Sequence, residues 1–346
     1  MYDVITIGTA SRDVFLQSEF FKVLHDPEHL KKIGFPEGEA QCFALGGKLD
    51  VGKPVFSTGG GATNAAVTFG RQGFKTAAVI KTGHDEDGDA IVRELKLEGV
   101  RVHAARDHHK GTAYSTFLLA PNGERTILTY RGASGDLTQH DIPLQKLKSR
   151  WAYIVPGNIE FSIIESIIDQ LWKRGVHIAI NPSKALIQKK ISGLKTILGK
   201  VKVVLVNREE AAYLTGVHFD HEKRIFKVFD EAVPGIAVMT DGGRGVHVSD
   251  GSYMWSAGII KEKKMVDRSG AGDAFGSGFV AGLMRHKEEC RKGLCSHLAV
   301  EYAIRLGSAN ATSMVESIGA KSGILTKHEF EKGERWRELL IRVIRI

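Results

Sequence analysis

The stretch Asp267-Arg268-Ser269-Gly270-Ala271-Gly272-Asp273-Ala274-Phe275 carries the most information about the fold of this chain. An extended apolar segment leads into it, and residues 274–283 continue as a helix of small residues. Glycines at a helix start leave backbone N–H groups bare, and the helix dipole adds positive charge there, so this turn suits a phosphate group. Asp273, in the first turn, is placed to take a proton from a hydroxyl. An ordinary glycine-rich turn with Asp273 as a helix cap is the alternative.

Length and composition limit the classes of protein that this chain can belong to. With 346 residues, 42% of them hydrophobic and 25% charged, it can bury a large core as one or two α/β domains. No apolar run reaches the roughly 18 residues that a membrane-spanning helix needs, and no signal peptide precedes the first strand, so no membrane partner is predicted. Three cysteines are too few for a disulfide framework and favour thiols in a reducing cytoplasm: Cys42, Cys290 and Cys295.

The chain is basic, with a formal net charge of +8 and a pI near 9.2. The basic residues form separate small clusters, without the aromatic interleaving or the motifs of a nucleic-acid-binding protein. We therefore predict no nucleic-acid partner. A solvated basic surface that helps to attract anionic substrates is the favoured interpretation.

Strand-like and helix-like runs alternate over most of the chain, which is typical of an α/β fold with a mainly parallel sheet. Nearly unbroken runs of Val and Leu, such as residues 203–206, indicate central strands that are covered on both faces. The predicted strands cover residues 4–8, 76–81, 151–156, 177–181, 201–207 and 236–240. The predicted helices cover residues 63–71, 87–98, 161–174, 208–214 and 298–311.

Two stretches interrupt this alternation and predict a small β-sheet that projects from a single main domain, residues 1–330. Extended pieces lie within residues 14–57 and within residues 101–131, where Pro121-Asn122-Gly123-Glu124 has the pattern of a hairpin turn. A sheet of this kind has the form expected of a lid over a site. Residues 331–346 are predicted to form a C-terminal tail helix.

A second glycine cluster, Gly59-Gly60-Gly61-Ala62-Thr63-Asn64, precedes a predicted helix near the front of the chain. Three glycines allow the backbone to approach a ligand closely, and Asn64 offers both a donor and an acceptor to a hydroxyl group. A flexible turn with a structural Asn64 explains the cluster equally well when it is taken alone.

With both clusters present, the chain resembles the PfkB-type (ribokinase-like) carbohydrate kinases. The resemblance rests on the G-G-x-x-x-N pattern at residues 59–64 and the G-A-G-D pattern at residues 270–273, about two hundred residues apart. Further matches keep the family order along nearly the whole chain: Gly73, the G-x-D-x-x-G turn at 83–88, Gly111-Thr112 and Gly132-Ala133. The resemblance implies a three-layer α/β/α fold with a mainly parallel central sheet and a small β lid.

The resemblance also implies roles for individual residues. Asp273 would be the catalytic base, with the N–H groups of Gly270, Ala271 and Gly272 holding the transferring phosphoryl group. Glu210 would order Mg²⁺ through water, although its spacing alone fits a solvent-facing helix glutamate equally well. The residues implied in binding the sugar are Asp13, Gly59, Gly60, Asn64 and Glu160. Those implied beside the nucleotide are Asn207, Thr240, Gly242, Gly245 and Ser308, and those implied at a monovalent cation such as K⁺ are Asp267 and Ser269.

The chain departs from the family pattern at two places. Arg268 stands where a small residue or Thr is usual, and it can meet the nucleotide phosphates or face solvent. Ser308 stands where many members have the Asn that lines the adenine pocket, and Asn310 lies two positions further on. Adenine contacts of the usual kind therefore do not follow from the pattern.

The activity that the resemblance implies is transfer of the γ-phosphate of ATP to a hydroxyl, in particular a hydroxymethyl, of a small sugar. A nucleoside acceptor is the alternative within the kinases. A catalytically silent sugar or nucleotide sensor is the alternative from another class, and the intact residues 270–273 oppose it. Neither G-x-G-x-x-G after the first strand nor G-x-x-x-x-G-K-[ST] occurs, which argues against a dinucleotide-dependent oxidoreductase and a P-loop NTPase.

The predicted lid also bears on assembly. An exposed strand edge is commonly covered by pairing with another subunit, which favours a homodimer through the lid. The insert at residues 20–52 is left open between a dimer contact and a wall for a nucleobase.

Overall fold

In the computed structural model, which describes residues 1–35, 38–120, 125–286 and 295–346, strands and helices alternate as predicted. The strands are β1 (Tyr2–Gly8), β2 (Ser11–Gln17), β3 (Lys22–His25), β4 (Glu39–Cys42), β5 (Val55–Gly59), β6 (Thr76–Gly83), β7 (Arg101–Asp107), β8 (Tyr114–Leu119), β9 (Arg125–Tyr130), β10 (Ser149–Val155), β11 (His177–Ile180), β12 (Val203–Asn207), β13 (Ile236–Thr240), β14 (Val246–Ser249), β15 (Tyr253–Ala257) and β16 (Ile341–Arg345). The helices are α1 (Pro27–Leu30), α2 (Gly61–Arg71), α3 (Glu86–Leu97), α4 (Phe161–Lys173), α5 (Lys184–Ile187), α6 (Lys190–Leu198), α7 (Arg208–Thr215), α8 (Glu222–Ala232), α9 (Ala271–Arg285), α10 (His297–Val315) and α11 (Lys327–Lys332).

The central sheet contains ten strands of the described residues, in the order β16-β15-β14-β13-β12-β11-β10-β1-β6-β7. From β7 to β13 every neighbouring pair is parallel, whereas β14, β15 and β16 add an antiparallel extension beyond β13. Val203, Val204, Leu205 and Val206 are all buried, as expected for a strand that is covered on both faces. The prediction of a mainly parallel sheet is confirmed.

Helices cover both faces of this sheet and give it three layers. On one face the strands pack against α4, α6, α7 and α8, and on the other they pack against α2, α9 and α10. Between α9 and α10 small residues allow close approach, since a Cβ added to Gly282 would lie 2.5 Å from Cα of Ala303. This close packing fixes the position of α9, whose first turn holds the G-A-G-D cluster.

A separate small sheet has the strand order β5-β2-β8-β9. The pair β2–β8 is parallel, and the pairs β2–β5 and β8–β9 are antiparallel. Strands β8 and β9 lie inside the predicted lid segment 101–131, whereas β2 and β5 overlap the segment 14–57 but extend beyond it, to Ser11 and to Gly59. Within the insert, β3 and β4 form a two-stranded ribbon of their own.

The structure corrects several predictions. The chain ends in strand β16, paired with β15, and not in a helix, because Ile341 and Val343, two positions apart on one face of the strand, pack against the core. Residues 101–107 form β7 at the edge of the central sheet and so do not belong to the small sheet. Cys295 is disulfide-bonded, contrary to the expected thiol, and Cys42 is free.

Some predictions cannot be compared with the fold. The hairpin turn at residues 121–124 and Cys290 lie outside the described residues. Among the residues that are described, no helix combines the length and the apolar character needed to cross a membrane.

Candidate active site

The first turn of α9 is the centre of the site. Gly270 adopts the left-handed conformation with φ 75°, and a Cβ there would lie 2.8 Å from Cβ of Ala320, so the tight entry into the helix requires glycine. The backbone N–H groups of Gly272 and Asp273 have no acceptor among the described residues. The first turn therefore presents bare donors together with the positive end of the α9 dipole.

Asn64 connects the first turn of α2, near the N-terminus, to the first turn of α9. Gly60, with φ 94°, starts α2, and the Asn64 amide nitrogen in its first turn donates to Asp273 Oδ2 at 2.9 Å. Burial raises the pKa of Asp273, and the Asn64 hydrogen bond opposes this shift. The two glycine clusters, 209 residues apart at this contact, thus meet across one cleft.

Asp13 supplies a second carboxylate beside the same cleft. It lies on β2 with only 4% of its surface exposed, and it accepts a hydrogen bond of 2.8 Å from the Ser11 hydroxyl. Burial raises its pKa, against the effects of the Ser11 hydrogen bond and of the charges on Lys321 and Arg12. A Cβ on Gly59 would stand 2.0 Å from Asp13 Oδ2, so this glycine makes room for the carboxylate.

Asp13 and Asp273 line one cavity of about 340 Å³, which we call the Asp13 cavity. Its floor comes from the residues after β1 and from the starts of α2 and α9, and its roof comes from β2, β8 and β9 of the small sheet. The lining includes Thr9, Asp13, Gly60, Asn64, Ser115, Phe117, Arg125, Ile127, Thr129, Arg131, Ser134, Asn158, Ser269, Gly270 and Asp273.

A second cavity, of about 150 Å³, lies on the other side of the α9 start, and we call it the Thr240 cavity. Ala271 and Gly272 line it, whereas Gly270 and Asp273 line the Asp13 cavity. The first turn of α9 therefore forms the wall between the two cavities. The rest of the Thr240 cavity is lined by Thr240, Gly242, Gly245, Gly258, Ile259, Ile260, Phe275, Ser308, Ala311 and Thr312.

Comparison with known proteins identifies the family of this chain. The family profile described as pfkB family carbohydrate kinase matches residues 36–327. This chain belongs to the pfkB family of carbohydrate kinases. By family it is an enzyme that uses ATP to phosphorylate an alcohol group.

Individual members of the pfkB family are similar to this chain over most of its length. A ribokinase of Haemophilus influenzae is 27% identical over 279 residues, which cover 78% of this chain and 85% of that protein. A cytidine kinase of Thermococcus kodakarensis is 29% identical over 251 residues, covering 70% of this chain and 87% of that protein. Among solved structures, the ribokinase from Giardia lamblia has a TM-score of 0.76 at 20% identity, covering 95% of this chain and 97% of its own. The ribokinase-like fold is thereby confirmed.

Glu210, which was predicted to order Mg²⁺, and Asn207, which was predicted beside the nucleotide, line a third cavity of this pfkB protein, of about 380 Å³, that we call the Asn207 cavity. Asn207 caps α7 by accepting from the Glu210 N–H at 2.8 Å, and Glu210 Oε2 accepts from the Asn207 N–H at 2.9 Å. One carboxylate oxygen of Glu210 thus supports the helix, which leaves the other for a ligand. Burial raises the pKa of Glu210.

Asp267 and Ser269 form the turn that leads into α9. The Asp267 carboxylate accepts from the Ser269 N–H at 2.9 Å and from the Gly319 N–H at 3.1 Å, which ties this turn to the next glycine turn. The Ser269 hydroxyl is buried and has no hydrogen-bond partner among the described residues. An oxygen in this position fits a cation that is coordinated by oxygen atoms.

Two side chains that the sequence analysis singled out do not line the Asp13 cavity or the Thr240 cavity: Glu160 and Asn310. Glu160 was expected at the sugar, but it is exposed at the start of α4, where its carboxylate accepts from the Ser162 hydroxyl at 2.9 Å. Asn310 does not replace the missing adenine Asn, because its amide nitrogen donates to the Ala274 carbonyl and its oxygen accepts from the Leu325 N–H, both at 2.9 Å. Ser308 faces the Thr240 cavity from α10, together with Ala311 and Thr312.

Sequence analysis missed several residues that line the Asp13 cavity, among them Arg125 and Arg131 at the two ends of β9. An alternating pattern at 125–131 was visible in the sequence, but nothing there showed which face of the strand would meet the site. Thr9 and Ser134 were also missed. They hold the cavity floor, since the Thr9 hydroxyl accepts from the Gly61 N–H at 2.9 Å and the Ser134 hydroxyl accepts from the Ala10 N–H at 3.0 Å.

Lys321 is a buried lysine close to both carboxylates of the Asp13 cavity. Only 3% of its surface is exposed, its ammonium group donates to the Thr58 hydroxyl, and Glu94 Oε1 lies 3.7 Å away. Its positive charge lowers the pKa of Asp13 and of Asp273, in opposition to their burial. Burial in turn lowers the pKa of Lys321 to about 8.

Lys321→Met is expected to remove a pH dependence of stability. The lysine pKa is about 8 in the folded chain and 10.5 for an unperturbed lysine, so between these pH values the unfolded chain binds more protons and the folded chain gains stability as pH rises. From pH 7 to pH 10 the free energy of unfolding of the wild type should rise, relative to that of the variant, by on the order of 2 kcal/mol. Urea denaturation at both pH values measures this, with Lys96→Met on the exposed face of α3 as the control. A difference that does not change with pH would contradict the burial of a charged amine.

Proposed function

We propose that this chain transfers the γ-phosphoryl group of ATP to a hydroxymethyl group of a small sugar. The single observation that carries the proposal is the position of Asp273. It lies in the wall between a polar cavity that contains Asp13 and a smaller cavity that is lined by the glycine turns. An acceptor and a nucleotide bound in these two cavities would meet at the bare N–H groups of α9.

Asp273 would act as the base. Its carboxylate is held by Asn64, and the pKa raised by burial makes it a better proton acceptor than an exposed aspartate. The N–H groups of Gly272 and Asp273 would hold the phosphoryl oxygens while charge shifts along the transferring group. Because the transition state of phosphoryl transfer is loose, most of the rate gain would come from this positioning.

Asp13, with Gly60 and Asn64, would orient the sugar. An ionised carboxylate accepts hydrogen bonds from two neighbouring hydroxyl groups, which is the pattern that a sugar presents. The small sheet, with Ser115 and Thr129 facing the same cavity, would act as the lid that excludes water from the phosphoryl group.

Glu210 would order Mg²⁺ through water, and Asn207 would lie beside the nucleotide, where its side chain can donate to a phosphate. The oxygen chemistry fits, because Glu210 keeps one carboxylate oxygen free of the capping contact and Mg²⁺ prefers oxygen ligands while retaining several waters. Within the described ranges no group of three or more His, Cys, Asp or Glu side chains could hold a metal by itself. When bound, the ion would neutralise phosphate charge. The orphaned Ser269 hydroxyl beside Asp267 supports a monovalent cation such as K⁺ at that turn.

A nucleoside acceptor is the second candidate. Phe117 and Ile127 line the Asp13 cavity from the small sheet and offer an apolar surface on which a base could stack. The insert is not needed for this, because none of the lining residues of the Asp13 cavity comes from residues 20–35 or 38–52.

A homodimer through the small sheet is also part of the proposal. The face of this sheet that points away from the Asp13 cavity exposes Phe56, Leu128 and Tyr130, each to more than half of its surface: 58%, 57% and 54%. Apolar side chains exposed together on a sheet favour coverage by a second copy of the chain. Sedimentation velocity at micromolar concentration measures the assembly, and a monomer would contradict it.

The activity itself is tested by ADP release in a coupled assay, with D-ribose, D-fructose, cytidine and adenosine offered separately at saturating Mg-ATP. We expect turnover with at least one sugar and a kcat/KM for it above that of both nucleosides. A higher value for a nucleoside would favour the second candidate. Acceptor binding in a thermal shift without any ADP release would identify the catalytically silent sensor instead.

A further inference from the structure

Strand β9 turns two arginines toward the Asp13 cavity. Arg125, Ile127, Thr129 and Arg131 line the cavity, and the residues between them do not, as the two-residue alternation of a strand requires. Thr129 pairs with Ser115, which pairs with Asp13, so these three lie at one level of the small sheet. Arg131 lies two residues after Thr129, on the side of the sheet nearer to α9. Arg125 lies four residues before Thr129, on the side away from α9.

Arg125 has no partner for its guanidinium group in the described part of the chain. Its Nε is shut off from solvent and makes no hydrogen bond there. A buried donor without an acceptor is unfavourable, and more so when it is charged, so an anionic ligand would stabilise this position.

The carboxylates that line the Asp13 cavity do not accept a hydrogen bond from the Arg125 guanidinium group. Among the described lining residues the acidic ones are Asp13 and Asp273, and these accept from Ser11 and Asn64 respectively. Both lie toward the α9 end of the cavity, away from Arg125.

We propose that the acceptor carries an anionic group, a carboxylate or a phosphate, which Arg125 binds at the end of the Asp13 cavity remote from Asp273. A guanidinium fork matches either group through two parallel hydrogen bonds, which a neutral hydroxyl cannot replace at equal strength. This proposal rests on the proposed function and narrows it from sugars in general to sugar acids or sugar phosphates.

The dimensions agree with an acceptor of ordinary sugar length. Four strand positions between Thr129 and Arg125 correspond to about 14 Å along β9. An arginine side chain that leans along the strand toward Thr129 covers part of this distance, and an acceptor of five or six carbons spans the rest. A sugar whose hydroxymethyl end is at Asp273 would therefore bring a group on its opposite end to Arg125.

The test compares acceptors that differ in charge at one end: D-gluconate with D-glucitol, and D-fructose 1-phosphate with D-fructose. For wild type, kcat/KM from ADP release should be about tenfold or more higher for the anionic member of at least one pair, and the pair that responds tells a carboxylate from a phosphate. Arg125→Gln should remove this preference, because it should lower kcat/KM for the anionic member by about tenfold or more beyond any loss with its neutral partner, while KM for ATP stays within about twofold. The control is Arg101→Gln, at the exposed first residue of β7. This substitution should change neither the preference for the anionic acceptor nor the KM for ATP.

Two results would overturn the inference. One is a wild-type enzyme that prefers the neutral member of both pairs, or cytidine, over the anions. The other is an Arg125→Gln variant that loses the same factor with every acceptor, which would place the arginine at the nucleotide or in the fold. If no acceptor supports ADP release, the proposed function fails, and thermal shift still decides the inference: either anion should raise the Tm of wild type and not that of Arg125→Gln, and equal shifts would refute it.

Discussion

Asp273→Asn is expected to lower kcat by about 10²–10⁴, with little change in Tm or in the KM of ATP. The amide has the shape of the carboxylate and keeps an oxygen that can accept the Asn64 hydrogen bond, so the contact between α2 and α9 should be kept. It cannot accept a proton from the acceptor hydroxyl at neutral pH. Steady-state ADP release and a thermal melt measure the two effects, with Asp220→Asn, an exposed aspartate with a side chain 74% exposed, as the matched control.

The pH profile gives the same prediction a second readout. Burial raises the pKa of Asp273, and only its ionised form can take the proton. The kcat of wild type should therefore fall as pH decreases through this raised pKa, at a higher pH than an exposed aspartate would show. The residual rate of Asp273→Asn should lack this limb, and near-normal turnover in the variant would remove Asp273 from the role of base.

Asp13→Ala is expected to lower kcat/KM for the acceptor by about 10²–10⁴ and to leave the KM of ATP unchanged. Each hydrogen bond from a sugar hydroxyl to an ionised carboxylate is worth about 1.5–3 kcal/mol, and two are lost. Because Asp13 is 4% exposed, water compensates poorly for the loss. Initial rates with each substrate varied in turn separate the two KM values.

Asp13→Asn serves as the graded companion to this variant. It keeps the volume beside Gly59 and one acceptor oxygen, so its loss should be smaller than that of Asp13→Ala. Equal losses in kcat/KM for acceptor and for ATP in both variants would show that Asp13 supports the fold of the cleft and does not touch the sugar.

The spacing of residues predicted the framework of the site because its signals are local. Gly270 must enter a helix with positive φ, and Gly60 does the same for α2, so both helix starts were visible in the sequence. The resemblance to the kinase family then placed Asn64 and Asp273 in one cleft, and their side chains are 2.9 Å apart. The parallel sheet was predicted from runs of Val and Ile, because a strand that is apolar on both faces has to be covered on both faces.

The parts that the sequence did not predict depend on contacts between distant segments. Strand β16 has too few residues for a periodic signal to outweigh the helix-forming residues before it, and only its pairing with β15 decides its conformation. Lys321 could be recognised as buried only once Thr58 and Glu94 were placed around it. The role proposed for Arg125 likewise follows from the cavity that it lines, and the sequence alone did not indicate it.

The most direct test of the account is a crystal structure with a non-hydrolysable ATP analogue and the preferred acceptor bound together. We predict the acceptor hydroxyl within about 2.6–3.2 Å of the Asp273 carboxylate, in the Asp13 cavity, with the terminal phosphate at the N–H groups of Gly272 and Asp273. A nucleotide whose phosphates lie away from the α9 start, or an acceptor bound outside the Asp13 cavity, would contradict the central claim that transfer occurs across this turn.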